Sequence, residues 1–187
     1  MRATASHTVG PFFHLGLDAL TMTDLAGPEV QGELVTIQGQ VLDGDRLPVS
    51  DALIEIWQAD SRGFYAHPED SRSGPGPHDF TGFGRIPTGA DGTFSFTTIK
   101  PGSVPGPGSK PQAPHLVALV FMRGLLKHLL TRLYFPGDPL NEADPILALV
   151  PPERRHTLIA QPLDGNIQVL RWNIILQGPG ETVFFDY

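Results

Sequence analysis

The chain has 187 residues, with 13 basic side chains against 20 acidic ones and a net charge of −7. It lacks the basic stripe that phosphate neutralisation requires, which makes nucleic acid a poor partner. The absence of cysteine removes disulfides, zinc–thiolate sites and thiol nucleophiles.

A length of this order corresponds to one domain and buries about 70% of the surface its unfolded form exposes, so it needs no staples. The 21 glycines and 19 prolines make up about a fifth of the chain, where about 12% is ordinary. They follow no collagen-like period and are interleaved with apolar runs. This predicts many turns and argues against a helical bundle. Residues 1–8 lack a charged segment followed by an apolar one, and no apolar stretch approaches the ~20 residues that span a bilayer. A soluble cytoplasmic protein is expected.

Residues 1–30 read as an arm that packs on the body of the chain or on a partner, and residues 31–187 as the domain proper. Period two begins after Glu33, where Val35, Ile37, Gly39 and Val41 alternate with polar residues. Asp43-Gly44 marks a turn. A second strand carries Ala52, Ile54 and Ile56 on one face and Leu53, Glu55 and Trp57 on the other. Phe94 and Phe96 follow Asp91-Gly92 as a third strand. Residues 115–122 are apolar almost throughout and suit a strand covered on both faces. Further strands are predicted at 128–135 and 168–176, with a short last one at 182–185. Residues 61–86 and 101–114 are long Gly- and Pro-rich segments, a length of loop that is usually functional or disordered. One short helix is predicted, opening at Pro151-Pro152-Glu153. The fold class is all-β, a single-domain β-sandwich with long loops.

Few residues suggest chemistry by themselves. His-x-His would bring two imidazoles to one strand face, but His115-Leu116-Val117 places a valine at the second position. There is no Gly-x-Ser-x-Gly elbow, and Gly82-Phe83-Gly84 lacks the third glycine and helix of a phosphate loop. Glu55 lies inside a strand, where ion pairing is the expected role. Arg123 ends the apolar strand before Gly124, and a guanidinium at such a rim suits a planar carboxylate, while by residue type alone a surface ion pair with a nearby acid is the commoner role.

In order along the chain, Ile37-x-Gly39-x-Val41, Ile54-Glu55-Ile56-Trp57-Gln58-Ala59-Asp60, Gly63-x-Tyr65, Gly84-Arg85, Asp91-Gly92-Thr93-Phe94-Ser95-Phe96 and Thr98-Ile99-Lys100-Pro101-Gly102 form a connected set. Pro114-His115, Thr131-Arg132-Leu133-Tyr134-Phe135-Pro136-Gly137-Asp138-Pro139 and the closing Gly180-Glu181-Thr182-Val183-Phe184-Phe185-Asp186-Tyr187 complete it. The set resembles the intradiol ring-cleavage dioxygenases. That resemblance implies cleavage of a catechol ring between its hydroxyls by non-haem Fe(III) held by two Tyr and two His, since hard phenolate oxygens suit ferric iron.

Carried over position by position, Tyr65 stands at the first Tyr site and Val104 at the second. His115 stands at the first His site and Val117 at the second. Gln112 stands where members place an Arg. The resemblance therefore implies a chain with no catalytic residue and no metal of its own, in which Tyr65 and His115 are packing residues. It corresponds to the alpha, non-ligating subunit of hetero-oligomeric members. In these a homologous iron-bearing beta subunit holds the Fe(III), the active site lies at the interface, and a small aromatic acid reacts there with O2. The implied substrate-binding residues are Thr8, Gly10 and Pro11 of the arm, together with Arg123. Two other readings stay open: an autonomous enzyme with displaced ligands such as His67 or His78, and a non-enzymatic β-sandwich binding module.

Overall fold

In the computed structural model, which describes residues 4–72 and 80–186, the alternation around Val35, Ile37 and Val41 becomes strand β1 (Leu34–Leu42). Asp43 turns the chain, its carboxylate accepting the backbone N–H groups of Asp45 and Leu47, both at 2.9 Å. Then come β2 (Leu53–Trp57), β3 (Phe83–Pro87), β4 (Thr93–Ile99), β5 (Val104–Pro105), β6 (Pro111–Gln112) and β7 (His115–Phe121). The last four are β8 (Leu129–Tyr134), β9 (Gln161–Leu163), β10 (Asn166–Arg171) and β11 (Ile174–Ile175).

β1 is the axis of the first sheet. It pairs antiparallel with β4 on one edge and parallel with β10 and then β11 on the other, while β9 flanks β10. The second sheet runs β3-β2-β7-β8, antiparallel throughout. β5 and β6 form a separate ribbon. Val35, Ile37, Phe94, Phe96 and Leu170 of the first sheet meet Ile54, Ile56, Ile86, Leu116 and Ala118 of the second in one core, so the fold is the expected β-sandwich. Gly39 has a steric reason to be glycine: a Cβ there would lie 1.8 Å from the Trp172 carbonyl oxygen and 2.6 Å from the Phe94 ring.

Several expectations need correction. The only α-helix among the described residues is α1 (Pro11–Leu17), inside the arm, whereas Pro152–Thr157 is a 3-10 turn. α1 buries none of its residues fully; it leans on the body through Phe13, whose ring lies 5.5 Å from that of Phe121, and only Gly10 before Pro11 marks its start. The 151–157 segment is held between buried Val150 and Leu158, and Thr157 Oγ1 donates back to the Arg154 carbonyl at 2.8 Å. The 61–86 segment contains β3, whose Arg85 faces Glu55 across the sheet and pairs with it at 2.6 Å. The 101–114 segment contains the β5–β6 ribbon. The 168–176 strand is broken into β10 and β11 where Trp172 N–H turns to the Gln38 carbonyl (2.8 Å). Residues 182–185 form no strand, only a single bridge from Phe185 to Leu130. β7 buries Leu116, Ala118 and Val120, but its other face is half-covered at Val117, Leu119 and Phe121.

The arm is tied down at its far end. Met22 exchanges backbone hydrogen bonds with Arg85 (2.9 and 3.1 Å), and Leu25 and Ala26 enter the core. Its start stays outward, with Phe12 81% and Leu15 68% exposed. On the outer face of the second sheet, a smaller core of Ala113, Tyr134, Leu147, Val150 and Leu158 forms beneath the chain that follows β8. Among the described residues no helix is long and apolar enough to cross a membrane.

Candidate functional site

Strand residues alternate between faces, so when Leu116 and Ala118 enter the sandwich core, His115 and Val117 must point outward. The register places Tyr134 opposite His115, with Arg132 and Trp57 on the two sides of Val117. Tyr65 stacks on Trp57, with centroids 5.9 Å apart and planes at 10°. The turn that delivers Tyr65 is built on Asp60, whose Oδ1 accepts the N–H groups of Arg62 (2.8 Å) and Phe64 (2.9 Å). It also needs Gly63, which has φ +83° and leaves 2.0 Å between a Cβ and the Ser103 carbonyl oxygen. The β5–β6 ribbon closes the other side, pairing Val104 with Gln112. The result is a cleft of about 700 Å³ whose lining includes Trp57, Tyr65, His67, Arg72, Val104 and Gln112.

Beneath the cleft lies a buried polar network. Asp144, fully buried, accepts Ala113 N–H (2.7 Å) on Oδ2, and Ile146 N–H (2.9 Å) and Leu147 N–H (2.7 Å) on Oδ1. Tyr134 donates its hydroxyl to the same Oδ1 (3.2 Å). His115 Nδ1 lies 2.7 Å from the Ala113 carbonyl, an acceptor, so Nδ1 carries the proton and Nε2 the lone pair. Burial, aided by the Arg132 cation, lowers the His115 pKa to about 4, and the imidazole is neutral at pH 7. Burial also raises the Tyr65 and Tyr134 phenols above their ordinary range. At the rim Arg72 pairs with Asp70 (2.6 Å) and holds its carboxyl well below the usual carboxylate range.

Tyr65, Val104 and Gln112 thus line one cleft, with Val117 paired to Trp57 at its edge and His115 two residues before Val117 on β7. These residues do not fit ferric iron. Val104 and Val117 offer only hydrocarbon, the Gln112 carbonyl oxygen accepts from Arg132 Nη1 at 2.7 Å, and only Tyr65 and His115 remain as donors. His67 is exposed, edge-on to Trp57, and accepts Glu69 N–H on Nδ1; His78 lies outside the described residues.

The residues implied for substrate binding gather elsewhere. Arg123 and Gly124 follow the far end of β7, and Gly124 N–H donates to Thr8 Oγ1 at 2.7 Å. The Arg123 side chain is 66% exposed and ion-pairs with Asp51. Gly10 and Pro11 open α1 nearby in sequence, and a Cβ on Gly10 would meet nothing within 4 Å. At ~3.3 Å per residue, β7 separates this group from His115 by about 20 Å. The roles of Arg132 and Asp144 escaped the sequence reading. Asp144-Pro145 was the available sign of a carboxylate capping a turn.

A family profile described as dioxygenase matches residues 10–178. The chain is 42% identical over 202 aligned residues to the protocatechuate 3,4-dioxygenase alpha chain of Burkholderia cepacia, covering 100% of this chain and 98% of that one. The chain belongs to the intradiol dioxygenase family. Another dioxygenase relative is the protocatechuate 3,4-dioxygenase beta chain of Burkholderia cepacia, 36% identical over 182 residues, or 93% of this chain and 75% of that one. Among solved dioxygenase structures, the dioxygenase domain of a carbohydrate-binding fusion from Streptomyces sp. SirexAA-E superimposes with a TM-score of 0.65. It is 28% identical, and the match covers 87% of this chain and 89% of that one.

Proposed function

We propose that the chain is the alpha subunit of a cytoplasmic, hetero-oligomeric protocatechuate 3,4-dioxygenase. Its homologous beta subunit holds the Fe(III), and the assembly converts protocatechuate and O2 to 3-carboxy-cis,cis-muconate. Both oxygen atoms enter the product as the ring bond between the two hydroxyl-bearing carbons breaks. One observation carries this reading: full-length likeness to an alpha chain combined with a cleft whose ligand positions hold Val104 and Val117. The chain's own contribution is interface and substrate positioning. The arm from Thr8 to Pro11 and the Arg123 turn face outward, about 20 Å from the chain's own cleft, and so suit a pocket completed by another subunit.

The first test is metal content. Purified alone, the chain is expected to be colourless and to carry no bound iron after gel filtration. When co-expressed with a homologous beta chain it should yield an iron-containing oligomer that consumes O2 with protocatechuate. Stoichiometric Fe(III) with a phenolate charge-transfer band in the isolated chain would overturn the assignment.

The second test concerns Arg123. A cation at a pocket mouth raises the local concentration of an anionic substrate, an effect that salt screens. Arg123→Ala in the assembled enzyme is expected to raise KM for protocatechuate by roughly 5- to 30-fold, about 1–2 kcal/mol, with kcat less affected. Asp51→Asn frees Arg123 from its pair and should shift KM the other way. Gly10→Leu, which meets no clash within the chain, should impede substrate entry. Turnover of uncharged catechol should hardly respond to Arg123→Ala. Equal losses on both substrates would make Arg123 structural.

A further inference from the structure

Beside the cleft stands a charge to which the functional reading gives no task. Arg132, on β8 beside Val117, donates from Nη1 to Gln112 Oε1 (2.7 Å) and reaches the Tyr134 hydroxyl at 3.4 Å. The Tyr134 ring it reaches packs against the His115 ring with centroids 5.7 Å apart, and its partner Gln112 lines the cleft. Among the described residues no carboxylate forms an ion pair with it. Gln112 is itself braced, donating from Nε2 to the Pro105 carbonyl at 2.9 Å, so the cation is held in place from the ribbon side.

We infer that Arg132 is the resident cation of this cleft: held by Gln112 at the lining, beside Val117 and next to the His115–Tyr134 pair, it excludes a metal ion even when the missing donors are restored. This rests on the reading of positions 104 and 117 as former ligand sites. The reasoning is electrostatic and steric. A guanidinium cannot shed its proton to make room for a second cation, as a lysine can. It is also donor-only, so it competes for the oxygen lone pairs that a hard metal ion requires. The loss of the metal site therefore has two separate causes, absent donors and a fixed positive charge, and curing the first leaves the second.

Three full-length variants test this: Val104→Tyr with Val117→His, and the same pair with either Arg132→Gln or Arg132→Lys. Each is loaded with ferrous iron in air and passed through gel filtration, after which bound iron and the phenolate charge-transfer band are read. The double variant is expected to stay nearly iron-free and the Gln variant to bind roughly tenfold more, approaching one iron per chain, with the Lys variant between them because an ammonium can give up its proton. Full loading of the double variant would overturn the inference. So would an iron-free Gln variant whose circular dichroism and thermal midpoint match those of the double. Arg132→Met in the same background is run alongside, so that the outcome does not hang on one variant's folding. Iron in the unaltered chain would overturn the functional reading instead, which keeps the two failures apart.

Discussion

Replacing Asp144 with alanine is expected to lower stability by about 3–5 kcal/mol, the range for removing one partner from a buried charged cluster. The carboxylate is fully buried and accepts from the backbone of Ala113, Ile146 and Leu147 and from the Tyr134 hydroxyl. Its removal leaves four donors without an acceptor, each worth about 1–3 kcal/mol when stranded, though not additively. It also uncouples the turn after Ala143 from the start of β7. For a domain of this length the thermal midpoint should fall by roughly 10 °C or more. Asp144→Asn keeps one acceptor oxygen and should cost less. Urea unfolding of the three proteins checks the order, and a loss below about 1 kcal/mol for the alanine variant would show that the turn holds itself.

Acid should weaken the fold through His115. Its folded-state pKa of about 4 lies below the ordinary 6.5, mainly because burial penalises the imidazolium. Between those values the unfolded chain binds more protons than the folded one, so stability rises with pH across the window. The contribution is complete above pH 6.5 and disappears as pH falls toward 4, a change of about 3 kcal/mol at 1.36 kcal/mol per pKa unit. Unfolding free energies at pH 7 and pH 4.5 should therefore differ by about 2 kcal/mol more in the native chain than in His115→Leu. Identical pH slopes for the two proteins would remove His115 from the account.

What was legible from the sequence was what the sandwich core imposes. Val35, Ile37 and Val41 are buried on alternating positions of one strand face with Gly39 between the last two, and Ile54 with Ile56 and Phe94 with Phe96 are buried two apart, so β1, β2 and β4 announced themselves. β3 did not, because Ile86 is its one side chain in the core and the strand is held by pairing to β2 and by Arg85 on Glu55. α1 was invisible because none of its residues is buried. At the cleft, Tyr65, Val104, Gln112, His115 and Val117 could be named in advance because motif order identifies positions. Arg132, named only as one letter of a motif, and Asp144 carried no sign of their roles, since these lie in partners 20 and 31 residues away, a relation that neither period nor spacing encodes.

β7 keeps two parts of the molecule at arm's length. One end carries His115 and leads to the cleft; past the other stand Arg123 and the loop that captures Thr8. Changes separated by more than 7–10 Å and sharing no partner usually add without coupling, and this strand spans about twice that distance. Substitutions around Arg132 and substitutions around Arg123 should therefore behave as independent ledgers in a double-mutant cycle. For protein engineering, this distance lets the residues around Arg132 be redesigned while the contacts around Arg123 and Thr8 stay as they are.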